Sequence, residues 1–333
     1  MINVLCKGDT ELNLMVSINC ITYNHKDYIM DALNSFLMQI TDFNYEILIG
    51  EDCSTDTTRK IVEEYVIQYP DKIRLITSEK NVGWKKNSLN LHENSSGKYI
   101  AICEGDDYWT DPFKLQKQVD YMESHKDCSL CFHAAEIVQA PKKPTGSLIK
   151  PYRSNKIAPI EDLIFGGGGF CPTPSLLFPK KLMDNLPDFY LNAHIGDFPM
   201  QLYLASKGYA YFMNENMAVY RSGVEGSWTN RLNNIVNVRE NIIKVNEDVI
   251  QLLEGFNSYT NKKNSNVVEK VIQKLEFELL VLKRKTKEQK NDLYKNFSYL
   301  VKLKIRMKMM IRCYFPKLFL KLVNFKLIKR KKN

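Results

Sequence analysis

Residues 99–111 read YIAICEGDDYWTD, an apolar run from Tyr99 to Cys103 that breaks at Glu104, Gly105, Asp106 and Asp107. A strand covered on both faces is apolar along its length, so this stretch predicts a parallel strand ending in a glycine turn. Ligands of open α/β sheets bind beyond the carboxyl ends of such strands, which puts the acids where chemistry is expected. Adjacent carboxylates repel each other unless a cation offsets them. Mg2+ and Mn2+ take oxygen ligands, commonly one or two carboxylates together with substrate phosphates. The plainer reading is a solvated acidic turn. Asp111 and Pro112 form the N-cap and first residue of a helix carrying Leu115, Val119 and Met122 on one face. That accounts for Asp111 and leaves Asp106 and Asp107 unexplained.

The same pattern recurs upstream. Met15 to Ile21 is a strand, closed by ITYNH (residues 21–25), and a helix with Ile29, Leu33, Phe36 and Leu37 on one face follows. EILIGEDCSTDTT (46–58) is a second apolar strand ending in Glu51 and Asp52, with hydroxyl residues ready to cap a helix. That helix carries Ile61, Val62, Tyr65, Val66 and Tyr69 and stops at Pro70. A third strand, Ile73 to Thr77, leads to NVGWKKN (81–87). Strands alternating with helices predict a doubly wound, mostly parallel α/β sheet with helices on both faces. No GxGxxG follows the first strand, which argues against a dinucleotide site, and no GxxxxGK[ST] occurs, so a P-loop is absent. Phosphate handling then rests on a metal and basic side chains.

Four segments in order, ITYNH, ILIGEDCSTDTT, NVGWKKN and EGDDYWTDP, resemble family 2 glycosyltransferases over residues 14–228. The resemblance implies a GT-A fold and inverting transfer from a nucleotide-diphosphate sugar donor. It implies that Tyr23 and Asp52 lie against the donor base, that Asp106 faces the ribose, and that Asp107 ligates Mn2+ or Mg2+. Lys86 falls where many relatives carry Arg; it brings a point charge to the diphosphate without the bidentate fork. Each residue has a plainer alternative. Tyr23 is then a strand-end aromatic packed on the core, Asp52 an Asx-turn residue, and Lys85 and Lys86 a solvated loop face. Together those alternatives require four accidents at one edge of one sheet.

Further on, Cys128 to Val138 is a strand, followed by a Pro/Lys loop over 140–150. Gly166 to Gly169 supplies backbone freedom, either for a mobile loop near an acceptor or for a plain connector. Ser175 to Met183 is an apolar strand turning into a basic segment. In HIGDFPMQLYLASKG (194–208), Asp197 and Pro199 start a helix and Gly208 follows its end. A carboxylate there is held ionised by the helix dipole, the state a general base needs. The resemblance implies that Asp197 deprotonates the acceptor hydroxyl; the alternative is an N-cap. Many relatives carry two consecutive acids at this point, where this chain has Gly196 before Asp197. After the strand YAYFMN comes AVYRSGVEGSW (218–228). Relatives often follow Tyr-Arg with a metal-binding His, whereas Ser222 and Gly223 stand here. That leaves open whether Arg221 meets the diphosphate or Glu225 completes the metal site.

These segments suggest a catalytic domain over 1–229, a helical appendage over 230–300 and a basic tail over 301–333. Leu232, Ile235, Ile242, Val249 and Leu253 recur at helical spacing up to Gly255, and a polar break precedes a second helix from Val268 to Leu282. The net charge of +9 lies in the tail, which holds 12 Lys or Arg and no acid, leaving 35 basic against 38 acidic residues elsewhere. Basic residues interleaved with Leu, Phe, Ile and Met predict peripheral contact with an anionic membrane. Over 301–309 the alternation is strict, a strand period, and a simply solvated tail is the alternative. The acidic turn and apolar content argue against nucleic acid.

The 8 scattered cysteines suggest reduced thiols, and no signal segment or membrane span is evident, which together predict a cytoplasmic protein, with the inner face of the cell membrane as the place its tail would contact. Cys128, Cys131 and His133 lack a second pair at zinc spacing and read as core strand. Tail and resemblance together imply a saccharide or lipid-linked saccharide acceptor, as in assembly of bacterial cell-surface polysaccharide. Two alternatives stand beside this. A sugar-nucleotide pyrophosphorylase calls for a Gly-rich loop with Arg and Lys after the first strand, which ITYNHKD is not. An inactive nucleotide-sugar-binding module keeps the donor site and lacks the base.

Overall fold

A computed structural model describes residues 14–227, 230 and 238–283. The chain divides into two compact units, Met1–Arg231 and Leu232–Asn333. In chain order the first unit contains β1 (Leu14–Thr22), α1 (Ile29–Leu37), β2 (Asn44–Glu51), α2 (Thr58–Gln68), β3 (Ile73–Thr77) and α3 (Trp84–Asn94). There follow β4 (Tyr99–Ile102), β5 (Tyr108–Trp109), α4 (Lys114–Ser124), β6 (Cys128–Gln139), β7 (Lys143–Ile149), β8 (Lys156–Ala158) and α5 (Ile160–Gly166). A 3-10 turn (Thr173–Ser175), β9 (Leu177–Pro179), a second 3-10 turn (Lys180–Met183), α6 (Asp188–Leu191), α7 (Asp197–Lys207) and β10 (Tyr209–Ser222) complete it.

The strands form one sheet in the order β3-β2-β1-β4-β9-β6-β10-β5, with β7 on β6 and β8 on β10. The first four are parallel, as expected from the alternation of strands and helices. Beyond them β9 runs antiparallel to β4 and β6, while β10 is parallel to β6. Helices cover both faces, and the two-residue period of the strands shows it. Val16, Ile18, Cys20, Ile47 and Ile49 share a core with Ala32, Leu33 and Phe36 of α1, Val62 of α2 and Leu115 and Val119 of α4. On the other face Leu48 and Ile76 pack with Leu91 of α3.

Departures from the sequence reading have local causes. Helix α3 was not foreseen, because WKKNSLNLHEN has few apolar residues; it is anchored by Leu91 and by Asn87, whose Nδ2 donates to the Gly50 carbonyl at 2.7 Å. Helix α4 starts at Lys114, and Asp111 instead accepts the Phe113 N–H at 2.8 Å in the turn before it. Most of the expected 140–150 loop is strand β7, an exposed edge whose ladder to β6 needs no apolar pattern. The strand expected over 175–183 shortens to β9, flanked by 3-10 turns. YAYFMN and AVYRS belong to one strand, β10, whose register shifts around Asn216.

The second unit contains α8 (Val238–Tyr259) and α9 (Ser265–Leu282). Leu252, Leu253, Phe256, Val268, Val271 and Leu279 are buried, following the predicted periodicity, although α8 continues through Gly255. Leu232, Ile235 and the tail over 301–333 lie outside the described residues. Among the described residues no helix is long and apolar enough to cross a membrane.

Candidate functional site

Because β1, β2 and β4 are parallel, their carboxyl ends share one edge, and the segments singled out in the sequence meet there. The acidic turn is seated directly on β1: the Gly105 N–H donates to the Ile21 carbonyl at 3.0 Å. A Cβ on Gly105 would lie 2.6 Å from Thr22 Oγ1, so only glycine lets the turn approach so closely. Asp107 is buried; its Oδ1 accepts the backbone N–H of Arg221 at 2.7 Å, and its Oδ2 has no partner among the described residues. Asp106 Oδ1 is likewise buried and unpartnered, and its Oδ2 lies 3.9 Å from His25 Nε2. Burial and then the Asp106 charge push the Asp107 carboxyl well above the usual range, and the Arg221 N–H offsets part of this.

Arg221 braces this turn and is not free to meet a diphosphate. Its Nε donates to the Pro141 carbonyl, its Nη1 to the Asp106 carbonyl, and its Nη2 pairs with Asp31. The guanidinium lies 5.1 Å from the Tyr28 ring centroid and 4.6 Å from that of Tyr108. Glu225 is exposed and makes no hydrogen bond or ion pair among the described residues.

On the neighbouring strand ends, Tyr23 is 42% exposed, which removes the alternative of a ring packed into the core. Asp52 is buried, with Oδ1 accepting from the Val82 N–H at 2.7 Å and Oδ2 from the Gly83 N–H at 2.9 Å. It therefore ties down the 81–83 loop, not an Asx-turn of its own, and each oxygen keeps a second lone pair. Lys86 is exposed and unpaired among the described residues. Lys85 is spent on structure: its Nζ donates to the carbonyls of Tyr190 (3.5 Å), Leu191 and Ala193 (2.9 Å).

Asp197 is the first residue of α7, behind Gly196, and its side chain caps nothing. Instead its Oδ2 accepts the Thr173 hydroxyl at 2.9 Å. The 3-10 turn bearing Thr173 is held from beneath by Trp109 Nε1 on the Pro174 carbonyl (2.7 Å) and Gln118 Nε2 on the Ser175 carbonyl (2.8 Å). The expected effect of the helix dipole is outweighed here: burial raises the Asp197 carboxyl, and the Thr173 hydroxyl recovers only part. Within the acidic turn Glu104 is raised well above its ordinary value by burial and then by the charges of Asp106 and Asp197. Glu104 was part of the acidic run without a role, and Thr173 gave no signal in the sequence. Among the described residues no three His, Cys, Asp or Glu side chains cluster closely enough to hold a metal by themselves.

Two further segments resolve. The four-glycine run is tied by Gln201, whose Nε2 donates to the carbonyls of Gly168 (3.0 Å) and Cys171 (3.1 Å). Cys128, Cys131 and His133 are buried in β6, as a core strand should be. Beneath the site Lys114 is fully buried, its Nζ 4.0 Å over the Trp109 ring and without a hydrogen-bond partner among the described residues. Burial lowers this amine to about 7.

Comparison with known proteins adds five findings. The family described as Glycosyl transferase family 2 matches residues 17–183. An uncharacterised protein of Mycobacterium bovis is 34% identical over 64% of this chain, and the chain spans 60% of that relative's length. The putative teichuronic acid biosynthesis glycosyltransferase TuaG of Bacillus subtilis is 29% identical over 62% of this chain and 79% of its own. Among solved structures, S. aureus TarS 1–349 in complex with UDP-GlcNAc has a TM-score of 0.56 at 17% identity, covering 90% of this chain and 87% of the other. The Pyrobaculum calidifontis mannosyltransferase PcManGT, in complex with GDP-Man and Mn2+, has a TM-score of 0.50 at 14% identity, covering 91% and 85%. At those identities the likeness concerns the fold.

Proposed function

The chain belongs to glycosyl transferase family 2, and on that footing we propose that it moves a sugar from a nucleotide-diphosphate donor to a hydroxyl acceptor with inversion at the anomeric carbon. The observation that carries this reading is how the candidate base is tied to the acidic turn: Asp197 accepts from Thr173, and the segment bearing Thr173 is bound through the Leu176 carbonyl to the Ile102 N–H at 3.2 Å and through the Pro174 carbonyl to Trp109 Nε1 at 2.7 Å, on either side of Glu104, Asp106 and Asp107. The unpartnered oxygens of Asp106 and Asp107 suit a hard divalent cation completed by phosphate oxygens. Asp107, with Asp106 beside it, would hold Mn2+ or Mg2+, whose contribution when bound is to neutralise the diphosphate.

The remaining roles belong to side chains. The exposed Tyr23 ring stacks on the base, and the free lone pairs of Asp52 accept from its edge. Asp106 is also assigned to the ribose, and Lys86, exposed and unpaired among the described residues, to the diphosphate. Thr173 occupies Asp197 Oδ2, leaving Oδ1 to take the acceptor proton as the oxygen attacks opposite the departing nucleotide. General-base assistance contributes ~10²–10⁴ in rate. The donor class is supported by the ligands of TarS and PcManGT, and a role in cell-surface polysaccharide by the name of TuaG. We assign catalysis to 1–229, treat 230–300 as an appendage, and take the tail as the contact with the inner membrane face and a lipid-linked saccharide acceptor.

The test is thermal unfolding of the full chain against a panel of UDP-, GDP- and dTDP-sugars, with Mn2+ or with EDTA. A donor at a hundred times its Kd stabilises by ~2.7 kcal/mol. We expect that gain only with Mn2+, and its loss in Asp107→Asn. Equal stabilisation in EDTA would defeat the metal role, and a product retaining the donor's anomeric configuration would defeat inversion.

A further inference from the structure

Trp84 is a large aromatic left 38% exposed beside the proposed base. It opens α3 directly after Gly83, whose N–H holds Asp52. The six-membered edge of its indole rests on the backbone of Gly196: a Cβ there would lie 2.8 Å from Cζ3 and 3.2 Å from Cη2. Gly196 is the residue before Asp197. This chain has no side chain there, and an aromatic ring occupies the space. The next residue, Lys85, fastens the start of α3 to the segment leading into α7 through three carbonyls. The ring is therefore fixed relative to the loop bearing the donor-side carboxylate and to the residue preceding Asp197.

We infer that Trp84 is the platform on which the acceptor's reacting sugar ring lies, its apolar C–H face on the indole and a hydroxyl directed to Asp197. The inference rests on Asp197 being the base, and it assigns the side chain that presents the acceptor sugar to it. A half-exposed ring held in one orientation offers a flat apolar surface at little entropic cost, and Trp and Tyr serve in binding sites for that reason. A pyranose has a complementary face of C–H groups, while its hydroxyls need polar partners elsewhere. Gly196 has a consequence within the same picture. Any side chain at 196 displaces the indole, so glycine here belongs to acceptor binding as well as to the start of the helix.

The test uses the full chain carrying Asp197→Asn, so that binding is read without turnover. Saturation-transfer NMR is recorded with methyl β-D-glucopyranoside, methyl N-acetyl-β-D-glucosaminide and methyl α-D-mannopyranoside. At least one should bind with transfer concentrated on ring C–H protons of a single face. Adding Trp84→Ala should weaken that Kd about tenfold, and Trp84→Phe should recover it to within about threefold, because a ring contact is lost and then restored. Gly196→Ala, which keeps the indole but pushes it aside, should weaken binding about threefold. Equal binding by the Trp84→Ala protein, or no transfer to any of the three glycosides, overturns the assignment. The base reading fails separately: wild-type-like turnover in Asp197→Asn would defeat it while glycoside binding at Trp84 still stood.

Discussion

Replacing Lys114 with Met should stabilise the protein, and the size of the gain follows from where the amine sits. Its Nζ is buried above the Trp109 ring, without a hydrogen-bond partner among the described residues, near the thiols of Cys103 and Cys131 and the ring of His133. Burial lowers it from an ordinary 10.5 to about 7. Each tenfold in proton affinity is ~1.4 kcal/mol, so at pH 7 the folded state gives up on the order of 4 kcal/mol that the unfolded amine keeps. Between pH 7 and 10 the unfolded lysine holds its proton and the folded one does not, so stability rises with pH across that window. Methionine follows the same path over the indole, titrates nothing and adds apolar burial. We expect Lys114→Met to gain a few kcal/mol at pH 7, with the advantage shrinking toward pH 9. Urea unfolding followed by the near-ultraviolet signal of Trp109, at pH 7, 8 and 9, reads this directly. The neighbouring thiols titrate in both proteins, so the difference between the curves isolates Lys114. A variant less stable at pH 7, or a difference independent of pH, would refute the argument.

Three further outcomes are expected. Thr173→Val removes the hydroxyl that, among the described residues, lowers Asp197, so the acidic limb of the pH–rate profile should move to higher pH, while Thr173→Ser keeps it in place; an unmoved limb in the valine variant would detach Thr173 from the proposed base. Arg221→Lys cannot serve Asp31, Asp106 and Pro141 from one ammonium, and should cost ~3 kcal/mol in chemical denaturation together with Mn2+-dependent donor binding; a loss below 1 kcal/mol would refute the bracing role. Removing residues 301–333 deletes 12 positive charges and should abolish co-sedimentation with phosphatidylglycerol vesicles while leaving nucleotide-dependent stabilisation intact; vesicle binding equal to that of the full chain would exclude the tail as the contact.

What the sequence made legible was set by periodicity and by strand ends. The apolar runs ending at Thr22, Glu51 and Cys103 located three parallel strands, because a strand buried on both faces leaves an uninterrupted apolar trace. Helix α3 left no such trace, since its hold on the sheet is one leucine and one asparagine. Strand β7 was hidden because an exposed edge satisfies its backbone without an apolar face. At the site, Asp52, Asp106, Asp107 and Asp197 stood out as acids at strand or helix ends. Thr173 did not, because its partner is 24 residues away and only the fold brings them together. Arg221 was visible, but its direction was not. A guanidinium aimed at a diphosphate and one turned inward onto Asp31 look the same in a sequence.

That inward turn has a consequence for assembly. Asp31, Asp106, Pro141 and Arg221 come from the beginning, middle and end of the first unit, and Asp31 and Arg221 are 190 residues apart. Contacts of such separation close only after a long loop has been ordered. The acidic turn is then among the last parts of the unit to reach its final form, even though its strand pairs with β1 early in the chain. During synthesis, a ribosome-bound chain that has released residues 17–183 exposes Asp106 and Asp107 without the strand that orders them. The order of this edge is complete only once β10 docks and the Arg221 N–H reaches Asp107.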